Sequence, residues 1–199
     1  MNKIVIIPTF NEIENIEKII RKVFSLSEGF HILIVDDGSP DGTAEVVKKL
    51  QIEYPNELFL MERKGKQGLG TAYIAGFKWS IHKKYDYIFE MDADFSHNPD
   101  DLIKLYDSVQ KDGNDVSIGS RYIKSGKVEN WPLNRIFISY GASLYVRMIT
   151  FMPIKDCTAG FVCYKREVLE NIDLDKIRFI GYAFQIEMKY RAWRKGYKL

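Results

Sequence analysis

Cysteine is nearly missing from this sequence. Cys157 and Cys163 are the only two among 199 residues, too few for a disulfide framework, and both read as buried thiols of a reducing compartment. An excess of either charge is missing as well. The 29 Lys and Arg against 27 Asp and Glu leave a formal net charge of +2, which argues against a dedicated nucleic-acid binder. Long hydrophobic runs are absent: Ile4-Val-Ile-Ile7 is too short for a signal peptide and no small-residue cleavage site follows it. No stretch approaches the length of a transmembrane helix. With no repeats, low-complexity tracts or linkers, residues 1–199 read as one domain. The last residues, Gly196-Tyr-Lys-Leu199, look like the start of a strand, so the expectation is a chain truncated at its C-terminus.

What is present is enough for a sizeable core, with 46% hydrophobic and 28% charged residues. Strand and helix patterns alternate. Lys3 to Pro8 is a β-branched run of the kind found in buried parallel strands. Asn11 reads as a helix cap, followed by Ile13, Ile16, Ile19, Ile20, Val23 and Phe24 at helical spacing. Phe30 to Val35 predicts a second strand, with Thr43 capping the next helix. Leu58 to Met61 predicts a third strand, Leu69 to Lys83 a helix, and Tyr87 to Met91 a strand. Pro99 to Lys111 predicts a helix and Val116 to Ile118 a strand. Beyond Gly119 the pattern is irregular, with helices expected from Arg135 to about Thr150 and around Ala183 to Arg194. The alternation predicts an α/β fold: a mostly parallel sheet with helices on both faces.

Ligands of open parallel sheets bind beyond the carboxyl ends of the strands. Three polar clusters fall there: Pro8-Thr-Phe-Asn-Glu12, Asp36-Asp37-Gly38-Ser39 and Asp92-Ala-Asp94. Two carboxylates one residue apart after an apolar strand suit a hard divalent cation such as Mg²⁺ or Mn²⁺, which takes few protein ligands and completes its shell with water and phosphate oxygens. The plain alternative is a pair of solvated loop aspartates. Asp36 and Asp37 suit a nucleotide ribose or base, or simply the turn chemistry of Ser-Pro-Asp-Gly. Gly65-Lys-Gln-Gly-Leu-Gly70 fits neither common phosphate-loop fingerprint and serves equally as a loop capping a helix. His97 reads as a loop residue outside the site, and His31 and His82 have no constellation. Gln185 and Glu187 suit a site or ordinary packing.

Taken in order, further stretches carry a resemblance across essentially the whole chain. They are Val35-Asp-Asp-Gly-Ser-Pro-Asp-Gly-Thr43, Gly68-Leu-Gly-Thr-Ala-Tyr73, Met91-Asp-Ala-Asp-Phe-Ser-His97, Gly119-Ser-Arg-Tyr122, Trp131 with Arg135, Ser139 with Gly141-Ala142, and Gly181-Tyr-Ala-Phe-Gln-Ile-Glu187. With Pro8-Thr-Phe-Asn-Glu12, the series resembles the dolichyl-phosphate (polyprenyl-phosphate) mannose synthases, which are family-2 glycosyltransferases with the GT-A fold, a nucleotide-diphospho-sugar transferase fold. The resemblance implies an inverting enzyme that moves mannose from GDP-mannose to a dolichyl or polyprenyl phosphate at a membrane surface, with Mg²⁺ or Mn²⁺ as cofactor and no nucleic-acid partner.

By the same resemblance, Pro8, Phe10, Glu12, Val35, Asp37, Asp92, Ala93, Asp94 and Arg121 surround the nucleotide-sugar. Asp92 and Asp94 hold the metal, with Ser96 where some relatives carry a ligating glutamine. Asp94, Arg121 and Arg135 do the catalytic work, the arginines holding phosphates, for which the guanidinium fork is well shaped; surface solvation is their plain alternative. The family carries a further Arg and Lys beyond the point where this chain ends. The implied location is cytoplasmic and peripheral, at the cytoplasmic face of a membrane, with a C-terminal membrane segment or a membrane partner subunit supplying the anchor. Competing readings are a related transferase using UDP-glucose or a sugar hydroxyl, a nucleotidyltransferase (whose Gly-rich Thr-Arg signature is not seen), and a non-catalytic nucleotide-sugar-binding module.

Overall fold

A computed structural model describes residues 2–121 and 133–199; for residues 133–140, 142 and 182 it describes the backbone alone. The chain runs β1 (Lys3–Thr9), α1 (Ile16–Phe24), β2 (His31–Asp36), α2 (Thr43–Glu53), β3 (Leu58–Glu62), α3 (Leu69–His82) and β4 (Tyr87–Glu90). It continues with α4 (Asp101–Gln110), β5 (Val116–Ile118), α5 (Leu133–Thr150), β6 (Val162–Lys165), α6 (Arg166–Asn171) and α7 (Tyr182–Arg194). The strand order is β3-β2-β1-β4-β6-β5. The four strands β3, β2, β1 and β4 are mutually parallel. β6 enters antiparallel between β4 and β5, so the sheet is mixed rather than wholly parallel.

The side-chain alternation of β1 explains the two layers. Val5 and Ile7 point into a cluster with Ile16, Ile19, Ile20 and Val23 of α1, Val47 and Leu50 of α2, and Leu102, Leu105 and Val109 of α4. Ile4 and Ile6 point the other way, into Ala72, Tyr73 and Phe77 of α3, Val168 and Leu169 of α6, and Phe184, Met188 and Ala192 of α7. A strand buried on both faces loses its polar alternation and becomes uniformly apolar, which is how Ile4-Val-Ile-Ile7 reads. Gly70 permits the second layer to close. A Cβ there would sit 2.9 Å from the Phe184 ring, so this glycine of the Gly65–Gly70 stretch serves helix packing.

Several local expectations are corrected. Asn11 does not cap α1: it adopts φ 61°, a left-handed conformation that Asn tolerates, and the helix starts only at Ile16. Thr43 is the first residue of α2 rather than its cap. Asp41 accepts hydrogen bonds from the Thr43 N–H (3.0 Å) and Oγ1 (2.7 Å) instead, while Gly42 takes the cap position at φ 95°. β6 and α6 were not expected at all. The final residues form no assigned strand, although the Lys198 carbonyl accepts from the Asp115 and Val116 amides at 2.8 and 3.1 Å. Cys157 and Cys163 are free and buried, as expected.

Candidate active site

The parallel strands β1, β2 and β4 end on one rim, with Thr9 beside Asp36 and Ile6 beside Glu90 in register. The three polar clusters follow directly. The loops after β1 and β2 are stitched together: the Asn11 amide donates to Ser39 Oγ (3.0 Å), the Glu12 amide to Thr43 Oγ1 (3.0 Å) and the Ile13 amide to Asp41 Oδ2 (3.1 Å). Asp36 is a framework residue. It accepts from Thr9 Oγ1 at 2.8 Å, the Ser39 amide at 2.9 Å and Ser39 Oγ at 2.6 Å.

Asp37 is held by a partner the sequence did not suggest. Arg63 donates to it through Nε at 2.6 Å and Nη2 at 2.9 Å, and to Thr71 Oγ1 through Nη1 at 3.0 Å. Gly38 lies against the same turn at φ +70°, where a Cβ would stand 3.2 Å from the Gly65 nitrogen and 3.3 Å from the Arg63 carbonyl. Only glycine takes that conformation at that approach without strain. Phe10 is half-buried, with the Lys66 ammonium 4.8 Å above its ring. Pro8 ends the buried run of β1, while the side chains of Val35 and Ala93 are enclosed in the core. Those two can therefore meet a ligand only through their backbones.

The carboxylates of these clusters lie within electrostatic reach of one another. Burial raises the Glu12 pKa, and the negative charges of Asp94, Asp41 and Asp92 raise it further against a hydrogen bond from Asn15. Burial likewise raises Asp92, opposed by His97 and by Tyr73 and reinforced by Asp94. The Tyr73 hydroxyl donates to Asp92 Oδ1 at 3.0 Å. Asp94 is exposed and accepts the Ser96 amide at 2.9 Å. No three carboxylate, histidine or cysteine side chains stand at metal-binding spacing among the described residues. Even so, two hard oxygen donors, one of them half-buried with its pKa raised by desolvation, match the needs of a cation that keeps water and phosphate in its shell. The residues present fit a divalent ion.

Arg121 lies on the same side, just beyond β5, locked in place. Its Nε and Nη2 donate to Asp156 at 2.8 and 2.7 Å, its Nη2 to Thr158 Oγ1 at 2.7 Å, and its amide to Asp156 Oδ2 at 3.1 Å. Arg135 falls in the first turns of α5, but its side chain lies outside the described residues, as does Trp131.

Sequence reasoning set His97 aside, and the structure brings it in. Its ring stacks on Phe161 at 5.0 Å and 12°, with Nδ1 buried and lacking a partner among the described residues. Burial lowers its pKa, Asp92 and Asp94 raise it, and Arg121 lowers it again, so the imidazole feels the charges of both the acidic pair and the arginine. Glu90, Asp156, Thr158 and Lys189 were also missed. Gln185, left open between two roles, turns inward: its Nε2 donates to Glu90 Oε2 at 2.5 Å. Glu187 turns to Arg191 and to the Arg178 and Phe179 amides, a packing role.

Comparison with known proteins matches this architecture. The profile of glycosyl transferase family 2 covers residues 4–173, and the chain belongs to that family. Within it, the chain is 45% identical over 196 residues to the polyprenol monophosphomannose synthase of Mycolicibacterium smegmatis, covering 98% of this chain and 74% of that one. It is 41% identical over 199 residues to the undecaprenyl-phosphate mannosyltransferase of Micrococcus luteus, covering 100% and 81%. Among solved structures, a Pyrobaculum calidifontis mannosyltransferase in complex with GDP-Man and Mn²⁺ superposes with a TM-score of 0.68 at 20% identity, over 99% of this chain and 53% of that one. The glucosyl-3-phosphoglycerate synthase of Mycobacterium tuberculosis does so with a TM-score of 0.66 at 18% identity, over 94% and 63%. These structures show the fold, which is GT-A as the sequence motifs implied. The chain spans about half to two thirds of the length of those solved structures. The protein is a glycosyltransferase, akin to the polyprenyl-phosphate mannose synthases.

Proposed function

We propose that this protein transfers mannose from GDP-mannose to a polyprenyl phosphate, inverting the anomeric centre. The observation that carries the reading is the closeness of Asp92 to the 156–161 segment that also holds Arg121, in a chain 45% identical to a polyprenol monophosphomannose synthase. Asp92 and Asp94 would hold Mg²⁺ or Mn²⁺, which supplies positive charge to the departing nucleoside diphosphate. The loops after β1 and β2 form the nucleotide cradle, with Phe10, Glu12 and the Arg63-braced Asp37 along it. Arg121, oriented by Asp156 and Thr158, supplies a fixed cation on the acceptor side, a role the resemblance extends to Arg135.

A phosphomonoester has its second pKa at about 6 and is already an anion near neutrality. The acceptor oxygen therefore attacks without a strong general base, and positioning and charge neutralisation supply the catalysis. The acceptor's lipid tail fits the outer surface of α5. Leu144, Tyr145, Met148 and Ile149 are exposed there, with Phe151 just beyond its end, and an apolar stripe with an aromatic belongs at a headgroup boundary. No helix among the described residues is long and apolar enough to cross a membrane. A polyprenyl-phosphate acceptor places the reaction at a membrane surface, and the reading puts it at the cytoplasmic face.

The test is a donor and acceptor screen with divalent metal. GDP-mannose with a short polyprenyl phosphate is expected to give product, and UDP-glucose little. Equal turnover of free polyprenol, or of UDP-glucose, would overturn the acceptor or the donor assignment respectively.

A further inference from the structure

Beneath the rim lies a set of polar side chains that none of the catalytic steps uses. Lys189 is wholly buried on the inner face of α7, among Phe184, Met188 and Ala192. Its ammonium donates to the Ala159 carbonyl at 2.6 Å, to Gln185 Oε1 at 3.0 Å and to the Gln185 carbonyl at 3.1 Å. Gln185 in turn donates to Glu90, also wholly buried, at 2.5 Å. Glu90 stands two residues before Asp92 on the same strand end.

Ala159 belongs to the strap 156–161, which connects the end of α5 with β6. One end of the strap carries Asp156 and Thr158, the residues that hold Arg121. The other end passes Asp92 closely: a Cβ on Gly160 would be 3.7 Å from Asp92 Oδ2 and 3.8 Å from Gln185 Nε2. Phe161 follows, bearing the His97 ring. The strap therefore reaches Asp92 at one end and Arg121 at the other, and Lys189 is its buried tether.

An ammonium and a carboxylate in an apolar core are a poor way to stabilise a fold. The two are joined through Gln185, desolvation offsets much of what their charges gain, and apolar replacements of similar volume often do as well or better. Its neighbours Phe184, Met188 and Ala192 on α7 are themselves apolar and buried. What a methionine cannot do is fix a carbonyl at 2.6 Å from a defined atom. We infer that Lys189, Gln185 and Glu90 are positioning residues that set the spacing between the Asp92 and Asp94 donor side and the Arg121 acceptor side by clamping strap 156–161 to β4. The inference rests on the proposed roles of Asp92 and Arg121. A displacement of about 1 Å in such a site lowers rates by roughly 100-fold without any loss of fold.

The experiment uses the double variant Lys189→Met/Glu90→Gln, which removes both charges together so that neither is left unpaired, with Lys189→Met alone beside it. The double variant is expected to keep a wild-type Tm, to keep its donor KM within about threefold, and to lose roughly 10–100-fold in kcat while acceptor KM rises. Acceptor KM and kcat both within twofold of wild type would overturn the inference, because a purely structural cluster predicts that result. Cys157 gives a readout free of catalysis. It lies in the strap, fully buried, and Cys163 in β6 is the only other thiol. A small disulfide reagent is expected to label Cys157 at least tenfold faster in the double variant, with Cys163 as the internal control. Unchanged Cys157 labelling would overturn the clamp. Should the wild type itself turn over no mannosyl donor, the proposed function falls alone, and the thiol rates still decide whether the strap is tethered.

Discussion

Arg63 grips Asp37 through two hydrogen bonds of 2.6 and 2.9 Å, and both side chains are about nine-tenths buried. The pair ties the loop after β2 to the loop after β3, and through Thr71 to the start of α3. An aspartate that sequence motifs assign to a nucleotide is therefore also a structural anchor.

Asp37→Ala consequently does more than weaken ligand binding. It leaves the Arg63 guanidinium buried without its counter-ion, at a cost of about 3 kcal/mol. For a domain of this size that is a fall of roughly 6–12 °C in ligand-free Tm. Thermal denaturation checks this, and calorimetry with the nucleoside diphosphate measures the separate loss of affinity. An unchanged Tm would mean that the pair contributes nothing to the fold.

Asp94→Asn has the opposite profile. Asp94 is exposed and its one described hydrogen bond is to the Ser96 amide within its own loop, so Tm is expected to stay within a degree or two. Metal-dependent turnover is expected to fall roughly 10²–10³-fold, about 3–4 kcal/mol of lost transition-state stabilisation. Near-normal activity that EDTA still abolishes would move the metal elsewhere.

Asp156 gives a pH signature. Burial pushes its carboxyl up, but the hydrogen bonds and charge of Arg121 outweigh this and bring its pKa below the usual carboxylate value. A group with a depressed folded pKa stabilises the protein above its unfolded pKa of about 3.9, and the contribution disappears as pH falls through the lower folded value. The stability gap between wild type and Asp156→Asn is expected to be constant from pH 6 to 8 and to shrink below about pH 4. Urea denaturation at a series of pH values measures it, and a gap independent of pH would refute the Arg121 pairing.

The exposed apolar surface of α5 and of Phe151 just after it predicts membrane contact. Tyr145, Ile149 and Phe151 are 63%, 59% and 79% exposed, so changing all three to Ser costs the fold little. Co-sedimentation with anionic phospholipid vesicles is expected to drop about tenfold or more. Turnover of a short, water-soluble acceptor should change far less. Equal vesicle binding by the variant would place the membrane contact on another face.

Local pattern carried much of the architecture. The uniformly apolar Ile4-Val-Ile-Ile7 announced a strand buried on both sides, and the 3.6-residue recurrence of Ile16, Ile19, Ile20 and Val23 announced the helix above it. Neither needs knowledge of distant residues, because burial on one face or two writes itself into neighbouring positions. β6 was illegible: Val162-Cys-Tyr-Lys165 is only four residues long and follows a stretch without periodicity. Its antiparallel place between β4 and β5 is a matter of pairing partners, which periodicity does not report. Lys189 did carry a faint signal, four residues after Gln185 on the apolar face of α7. A lysine at such a spacing ordinarily reads as a solvated tip.

By itself, then, the sequence determined that strands and helices alternate, that three polar clusters sit at strand ends, and which family the ordered motifs resemble. All of these follow from residue type and local spacing. Only the tertiary structure decided that Asp37 belongs to Arg63, that Arg121 is held by Asp156 from 35 positions away, and that His97, Glu90 and Lys189 underlie the rim. The reason is electrostatic as much as geometric. A charge on a chain carries no mark of its partner, and whether it ends in water or against a counter-ion in the core is settled when the two faces of the sheet are covered.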